Sequence, residues 1–226
     1  MIETKQLTRS FKNGDVLTPV LKGIDFRATD GEFVAIMGRS GAGKSTFLYQ
    51  ISLLDEPTGG EIKIDGHNTH RMSEEQRMKF RLNKFGYVFQ DYALLPELTA
   101  LENVALPLFM QGKTRRAAYA EAQQSLERVE LGHRLHNLPS QLSGGEQQRV
   151  SISRAIAHKP AVLFADEPTA NLDNESSAKV MDTFTELHKE GQTIIMVTHE
   201  EQYAALAGRL VRLDDGRIVS ETRHRG

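Results

Sequence analysis

Gly38-Arg39-Ser40-Gly41-Ala42-Gly43-Lys44-Ser45 lies between two apolar segments of different character, and that placement decides the fold. Before it, Phe33-Val34-Ala35-Ile36-Met37 is short, continuous and apolar, the pattern of a strand buried in a parallel sheet. After it, Thr46-Phe47-Leu48-Tyr49-Gln50-Ile51 opens an apolar helix. Strand, GxxxxGK[ST] loop and helix in that order make a phosphate cradle. Gly38, Gly41 and Gly43 allow backbone conformations other residues avoid and clear space for a phosphate. Successive N–H groups point inward, and the helix start adds partial positive charge. Lys44 brings a mobile full charge to the terminal phosphates, and Ser45 brings an oxygen for Mg²⁺. Set against an ordinary glycine-rich turn carrying a surface lysine, this context favours a nucleoside triphosphate site.

The chain has 226 residues, enough for one large α/β domain or a core with a smaller lobe. Net charge of −2 and a pI near 6.5 argue against a broad basic footprint for nucleic acid. The short runs Lys113-Thr114-Arg115-Arg116 and Arg223-His224-Arg225 read as a solvated face and a frayed end. With no cysteine, disulfides and cysteine metal sites are excluded. The first residues, Met1-Ile2-Glu3-Thr4-Lys5-Gln6, lack the apolar stretch of a signal peptide, and no run of about 18 apolar residues occurs. The expectation is a soluble cytoplasmic protein able to dock on a membrane protein.

Residues up to about Gly66 read as strands and turns, with Glu61–Ile64 alternating before an Asp65-Gly66 turn. Ser73-Glu74-Glu75-Gln76 is a capping box for a short helix to about Leu82, and Gly86-Tyr87-Val88-Phe89 is a strand with Gln90 at its carboxyl end. From about 91 to 155 strand patterns vanish; Thr99 and Thr114 cap helices, the second running to Val129. This reads as a helical lobe inserted into an α/β core spanning about 1–90 and 156–226. The core resumes with Ala161–Ala165 and Thr193–Val197, and Leu210–Val219 reads as a closing hairpin turning at Asp214-Asp215-Gly216.

Asp166 and Glu167 follow an apolar strand directly, and in open parallel sheets ligands sit beyond the carboxyl ends of strands. Asp166 is expected to hold Mg²⁺ through its water shell, and Glu167 to polarise an attacking water. His199 ends the strand Thr193–Val197 in the same way and is expected to touch the γ-phosphate. His133 and His136 lack the further ligand a metal site needs and read as surface residues. Leu142-Ser143-Gly144-Gly145-Glu146-Gln147-Gln148-Arg149 carries an S-x-x-E capping box, so a helix starts there. Its glycines leave the helix end unobstructed as an anion site, while simple helix capping accounts for the same residues.

These residues, in this order, resemble the nucleotide-binding subunits of ATP-binding cassette (ABC) transporters over essentially the whole chain. Leu142–Gln147 is similar to the family signature, normally LSGGQ, with Glu146 where glutamine is common. The resemblance implies an α/β fold: a phosphate-loop (RecA-like) core, an antiparallel β portion and an inserted α-helical lobe. It implies that Phe11 stacks on adenine, that Gly38, Arg39, Ser40, Gly41, Ala42, Gly43, Lys44, Ser45 and Thr46 bind ATP, and that Ser45, Gln90 and Asp166 serve Mg²⁺. Gln90 would also meet the attacking water, Glu167 and His199 would serve hydrolysis, and Asp173 would communicate across a dimer. Ser143, Gly144, Gly145 and Glu146 would reach the ATP of a second copy in a homodimeric sandwich. The implied partner is an integral membrane permease, with the chain peripheral on the inner face of the membrane and no nucleic acid bound.

Gly86–Gln90, Leu94–Val104 and Ala165–Asp173 resemble the branch serving macrolide export, lipoprotein release and cell division of the FtsE type. In that branch the coupled movement is often outside the membrane. Tyr92-Ala93-Leu94-Leu95-Pro96 is expected to be an apolar surface for the permease. A regulatory, non-transport ATPase and a soluble ABC ATPase are the alternatives; the length and absence of a basic patch weigh against the soluble type.

Overall fold

The computed structural model describes residues 1–223, so His224 and Arg225 of the terminal basic run lie outside the described residues. The chain divides into two compact units, residues 1–81 with 191–226 and residues 82–190.

In the first unit a long hairpin, β1 (Ile2–Asn13) and β2 (Val16–Ala28), pairs antiparallel and is extended by β4 (Gly59–Ile64) and the short β5 (His67–Asn68). The β1–β2 register shifts between Thr4 and Leu7, where Gln6 takes a positive φ of 46°. Such an extra residue bends a strand and raises its twist. Alongside stands a parallel set: β3 (Phe33–Met37) between β8 (Thr193–Val197) and β9 (Arg209–Asp214), with β10 (Arg217–Arg223) antiparallel on β9. Every residue of β3 and β8 is buried. The continuous apolar run that marked β3 is therefore that of a two-sided interior strand.

Helix α1 (Lys44–Ile51) leaves β3 through the glycine loop and buries Phe47, Leu48 and Ile51. Phe47 meets Phe26 of β2 edge-on at 5.3 Å and 87°. Each such side chain contributes about 1.5–3 kcal/mol of transfer free energy, which fixes the loop's exit. Ser73 caps α2 (Glu74–Lys84), its hydroxyl accepting from Gln76 N–H at 3.2 Å while Gln76 returns a bond to Ser73 N–H at 2.8 Å.

The second unit holds β6 (Phe85–Val88) parallel to β7 (Val162–Asp166), and helices α3 (Ala100–Met110), α4 (Arg115–Arg128), α5 (Gly144–Ile156) and α6 (Asn174–Lys189). The strands stack Phe85 against Phe164 edge-on at 5.0 Å. Gly86 admits α5 closely: a Cβ there would lie 2.2 Å from the carbonyl oxygen of Ala155. Thr99 caps α3 in a full capping box with Glu102. Asn103, fully buried, bonds the N–H and C=O of Leu95 and the carbonyls of Leu98 and Thr99. The irregular chain before α3 thus has its polar groups satisfied from inside. The Lys113–Arg116 run is tied to its own helix. Lys113 pairs with Glu121, and the Arg115 guanidinium lies 5.3 Å from the Tyr119 ring centre.

Candidate active site

The candidate residues fall into two groups, one in each unit. In the first, β3 and β8 run parallel, Phe33 opposite Ile194 through Ile36 opposite Val197. Their carboxyl ends therefore emerge side by side, one carrying the glycine loop and the other Thr198-His199. Thr198 N–H bonds the Ile36 carbonyl at 3.2 Å, and the Thr198 hydroxyl accepts from Glu200 N–H at 3.1 Å. That holds the turn at which His199 is exposed.

Within the loop, Gly41 and Gly43 take φ of 79° and 95°, the left-handed region open to glycine. Gly38 is demanded by space instead, since a Cβ there would lie 2.2 Å from the Leu213 carbonyl oxygen. Gly43 is the N-cap of α1 and makes no side-chain cap bond. The start of α1 therefore has no side-chain cap from Gly43 and opens directly onto the loop. Lys44 is largely buried and curls back, its Nζ donating to the carbonyls of Gly38 at 3.1 Å and Arg39 at 3.3 Å. An ammonium held above the loop by its own carbonyls, with N–H groups below, suits an anion with several oxygens. Ser45 and Thr46 are half-buried in the first turn; Arg39 and Ser40 are exposed on the loop. Phe11, 43% exposed on β1, is covered on one face by the Arg9 guanidinium at 4.5 Å.

In the second unit, β6 and β7 deliver Gln90 and Asp166-Glu167 from adjacent parallel ends. Asp166 is the last residue of β7 and is 5% exposed. Glu167 follows at φ 45°, a left-handed conformation that a residue with a Cβ adopts at a cost. Asn171 then donates its side-chain amide to the Gln90 carbonyl at 3.0 Å. Beyond Gln90 the chain turns through Tyr92 and Ala93, both at positive φ, 63° and 49°. Arg154 of α5 clamps that turn, its guanidinium donating to the carbonyls of Tyr92 at 2.9 Å and Ala93 at 2.5 Å. Leu95 is 46% exposed just after it, and Leu94 is half-buried.

The signature segment forms the expected cap. The Ser143 hydroxyl accepts from Glu146 N–H at 3.2 Å, and a Glu146 oxygen accepts from Ser143 N–H at 2.8 Å. Its glycines do not leave the helix end bare. A Cβ on Gly144 would lie 3.0 Å from the Tyr92 hydroxyl, and one on Gly145 2.8 Å from Ser176. The glycines admit these neighbours closely. Glu146 further accepts from Arg134 Nε at 3.0 Å. Partial burial would raise its pKa, but the Ser143 N–H and Arg134 together hold the carboxyl below its ordinary value.

Asp173 is the N-cap of α6, accepting from Ser176 N–H at 2.8 Å and from the Ser176 hydroxyl at 2.9 Å. Those bonds lower its pKa. Arg134, Arg154 and Tyr92 were invisible as site-supporting residues in the sequence, because long-range partners leave no local pattern. His133 and His136 are exposed.

A family model described as "ABC transporter" matches residues 21–170. The macrolide export ATP-binding/permease protein MacB of Aggregatibacter actinomycetemcomitans is 48% identical over 225 residues, covering 100% of this chain and 35% of that protein. The chain therefore spans about a third of the length of the MacB relatives it matches. The lipoprotein-releasing system ATP-binding protein LolD of Geobacter metallireducens is 45% identical, over 98% of this chain and 99% of its own. Among solved structures, a dimeric post-hydrolysis state of the ATP-binding cassette MJ0796 bound to ADP and Pi superposes with a TM-score of 0.93. Identity there is 39%, with both chains covered in full. The fold is thus shared along its full length, and this chain belongs to the ABC transporter family as an ATP-binding cassette.

Proposed function

We propose that the chain is the ATP-hydrolysing part of a membrane complex, and that two copies close around two ATP molecules to drive a permease. The observation that carries the reading is the pairing of two anion-ready helix starts in one chain: α1, entered through a glycine loop with buried Lys44, and α5, capped by Ser143. The dimeric cassette with ADP and Pi supports it as a relative of matching length.

In this reading, residues Gly38 to Thr46 hold the triphosphate and Phe11 offers its uncovered face to adenine. Ser45, Gln90 and Asp166 supply hydroxyl, amide and carboxylate oxygens, a hard donor set suited to Mg²⁺. Bound with ATP, Mg²⁺ would neutralise phosphate charge. Glu167 takes a proton from the attacking water, His199 contacts the γ-phosphate, and Gln90 orients the water. Ser143, Gly144, Gly145 and Glu146 face the second copy's nucleotide, and Asp173 acts across the dimer. The helical segment of about 91–155, with exposed Leu95, faces the permease. That docking would put the chain on the inner face of the cell membrane; no described helix is long and apolar enough to cross one. Likeness to MacB and LolD favours macrolide-export or lipoprotein-release work over a soluble ATPase.

Glu167→Gln tests this. The amide keeps the shape and loses the basicity, so hydrolysis should fall by about 10²–10⁴-fold while ATP still binds. The trapped protein should become a dimer in light scattering only with Mg-ATP. Adding Ser143→Arg should abolish that dimer and leave ATP on the monomer. A dimer that survives Ser143→Arg would reduce the signature to a helix cap and sink the sandwich.

A further inference from the structure

Glu146 is the third residue of α5, in the turn that the proposed sandwich turns toward a second copy's nucleotide. A helix start carries roughly half a positive charge, and a glutamate in that turn brings a full negative one. Unbalanced, it would reverse the sign of the field an incoming phosphate meets. Protonation does not supply the balance, because the Ser143 N–H and Arg134 together hold the carboxyl below its ordinary value against partial burial. The balancing charge is Arg134, whose Nε lies 3.0 Å from Glu146 Oε1.

Arg134 does not reach Glu146 from a loose loop. Its N–H bonds the carbonyl of Leu131 at 2.9 Å, its own carbonyl accepts from Asn137 N–H at 3.0 Å, and Leu131 is fully buried. The guanidinium is delivered from an anchored turn. Its side chain is 38% exposed and that of Glu146 16%, a geometry in which an ion pair adds little to fold stability. Its electrostatic effect falls instead on what approaches the helix start.

We propose that Arg134 is a positioning residue for ATP-driven dimerisation: by neutralising Glu146 it keeps the start of α5 receptive to the anionic end of a triphosphate held by a second copy. The inference rests on the sandwich reading above. It makes the charge of the Arg134–Glu146 pair, rather than its shape, the controlling quantity.

The test is a charge ladder in the Glu167→Gln background, with the Mg-ATP-dependent dimer constant read by analytical ultracentrifugation. Arg134→Ala leaves a net negative pair and should weaken each end about tenfold, hence the two-ended dimer about a hundredfold, less so at high salt. Arg134→Ala with Glu146→Gln restores a neutral pair, keeps an oxygen for Ser143 N–H, and should recover the parent constant. Glu146→Gln alone should tighten the dimer, and Arg134→Lys should retain most of it. Equal weakening of Arg134→Ala and the double variant would assign Arg134 a purely structural role and overturn the inference. So would equal dimerisation of all four. A parent that fails to dimerise with Mg-ATP overturns the sandwich itself, a result distinct from either.

Discussion

Asn171 and Gln90, 81 positions apart in the chain, are joined by one bond, the Asn171 amide to the Gln90 carbonyl at 3.0 Å. The bond ties the segment after β7, which carries Glu167, to the segment after β6. Asn171 is exposed, so losing the bond should barely touch folding. A net hydrogen bond is worth about 0.5–1.5 kcal/mol. Asn171→Ala is therefore expected to cut ATP turnover by roughly two- to tenfold with the melting temperature nearly unchanged. Identical steady-state turnover would show that Gln90 needs no such tether.

Lys44 offers a cleaner test of nucleotide contact. Its Nζ sits on two loop carbonyls at 3.1 and 3.3 Å, which only need water if it is removed. Lys44→Ala should remove a charge-assisted phosphate contact of roughly 1.5–3 kcal/mol, about ten- to a hundredfold in affinity. Titration with a fluorescent ATP analogue measures it; unchanged affinity would refute the role.

Gly86 predicts a stability effect with no chemistry attached. A Cβ there would meet the Ala155 carbonyl oxygen at 2.2 Å, a backbone atom that no rotamer change can move, so one of β6 and α5 must shift. Gly86→Ala should cost at least the 1–3 kcal/mol typical of overpacking, that is about 1–3 kcal/mol or more. Gly112→Ala, with open space around its Cβ but a φ of 82°, should cost less. Thermal melts of the two variants decide the order.

His158 sets a pH dependence. Burial lowers its pKa most, the Phe85 carbonyl at 3.0 Å pulls it back up, and the Lys113 charge lowers it further, for a net decrease. A base with a depressed folded pKa binds its proton more readily when unfolded. Its contribution is therefore complete above the unfolded value of about 6.5 and is lost as pH falls from there toward the folded value. Urea unfolding at pH 7.5 and 5.5 should show a decline that shrinks in His158→Gln. An identical decline in both proteins would acquit His158.

The glycine loop, β3, the Thr99, Thr114 and Ser143 caps and the closing hairpin were all legible, because each is written in adjacent residues. Helix α6 was not picked out, although Asp173-x-x-Ser176 is a cap pattern. Asp173 fills the ordinary role of N-cap there. That the signature glycines also make room for Tyr92 and Ser176 has no local pattern, because both neighbours are distant in the chain. The positive φ of Glu167 and the clamp of Arg154 on residues 92–93 had no local signal at all. They arise from tertiary packing, which overrides what each residue prefers alone.

Gly145 on Ser176 has a mechanical consequence. The starts of α5 and α6 touch through a contact with no room for a methyl group. Ser176 in turn is hydrogen-bonded to Asp173, a few residues after Glu167 in the same chain. A shift of the Ser143 end toward α6 finds little free space to take it up. In the proposed sandwich, what seats at one copy's signature would therefore also press on the start of α6, and through Asp173 on the segment leading back to that copy's own Glu167.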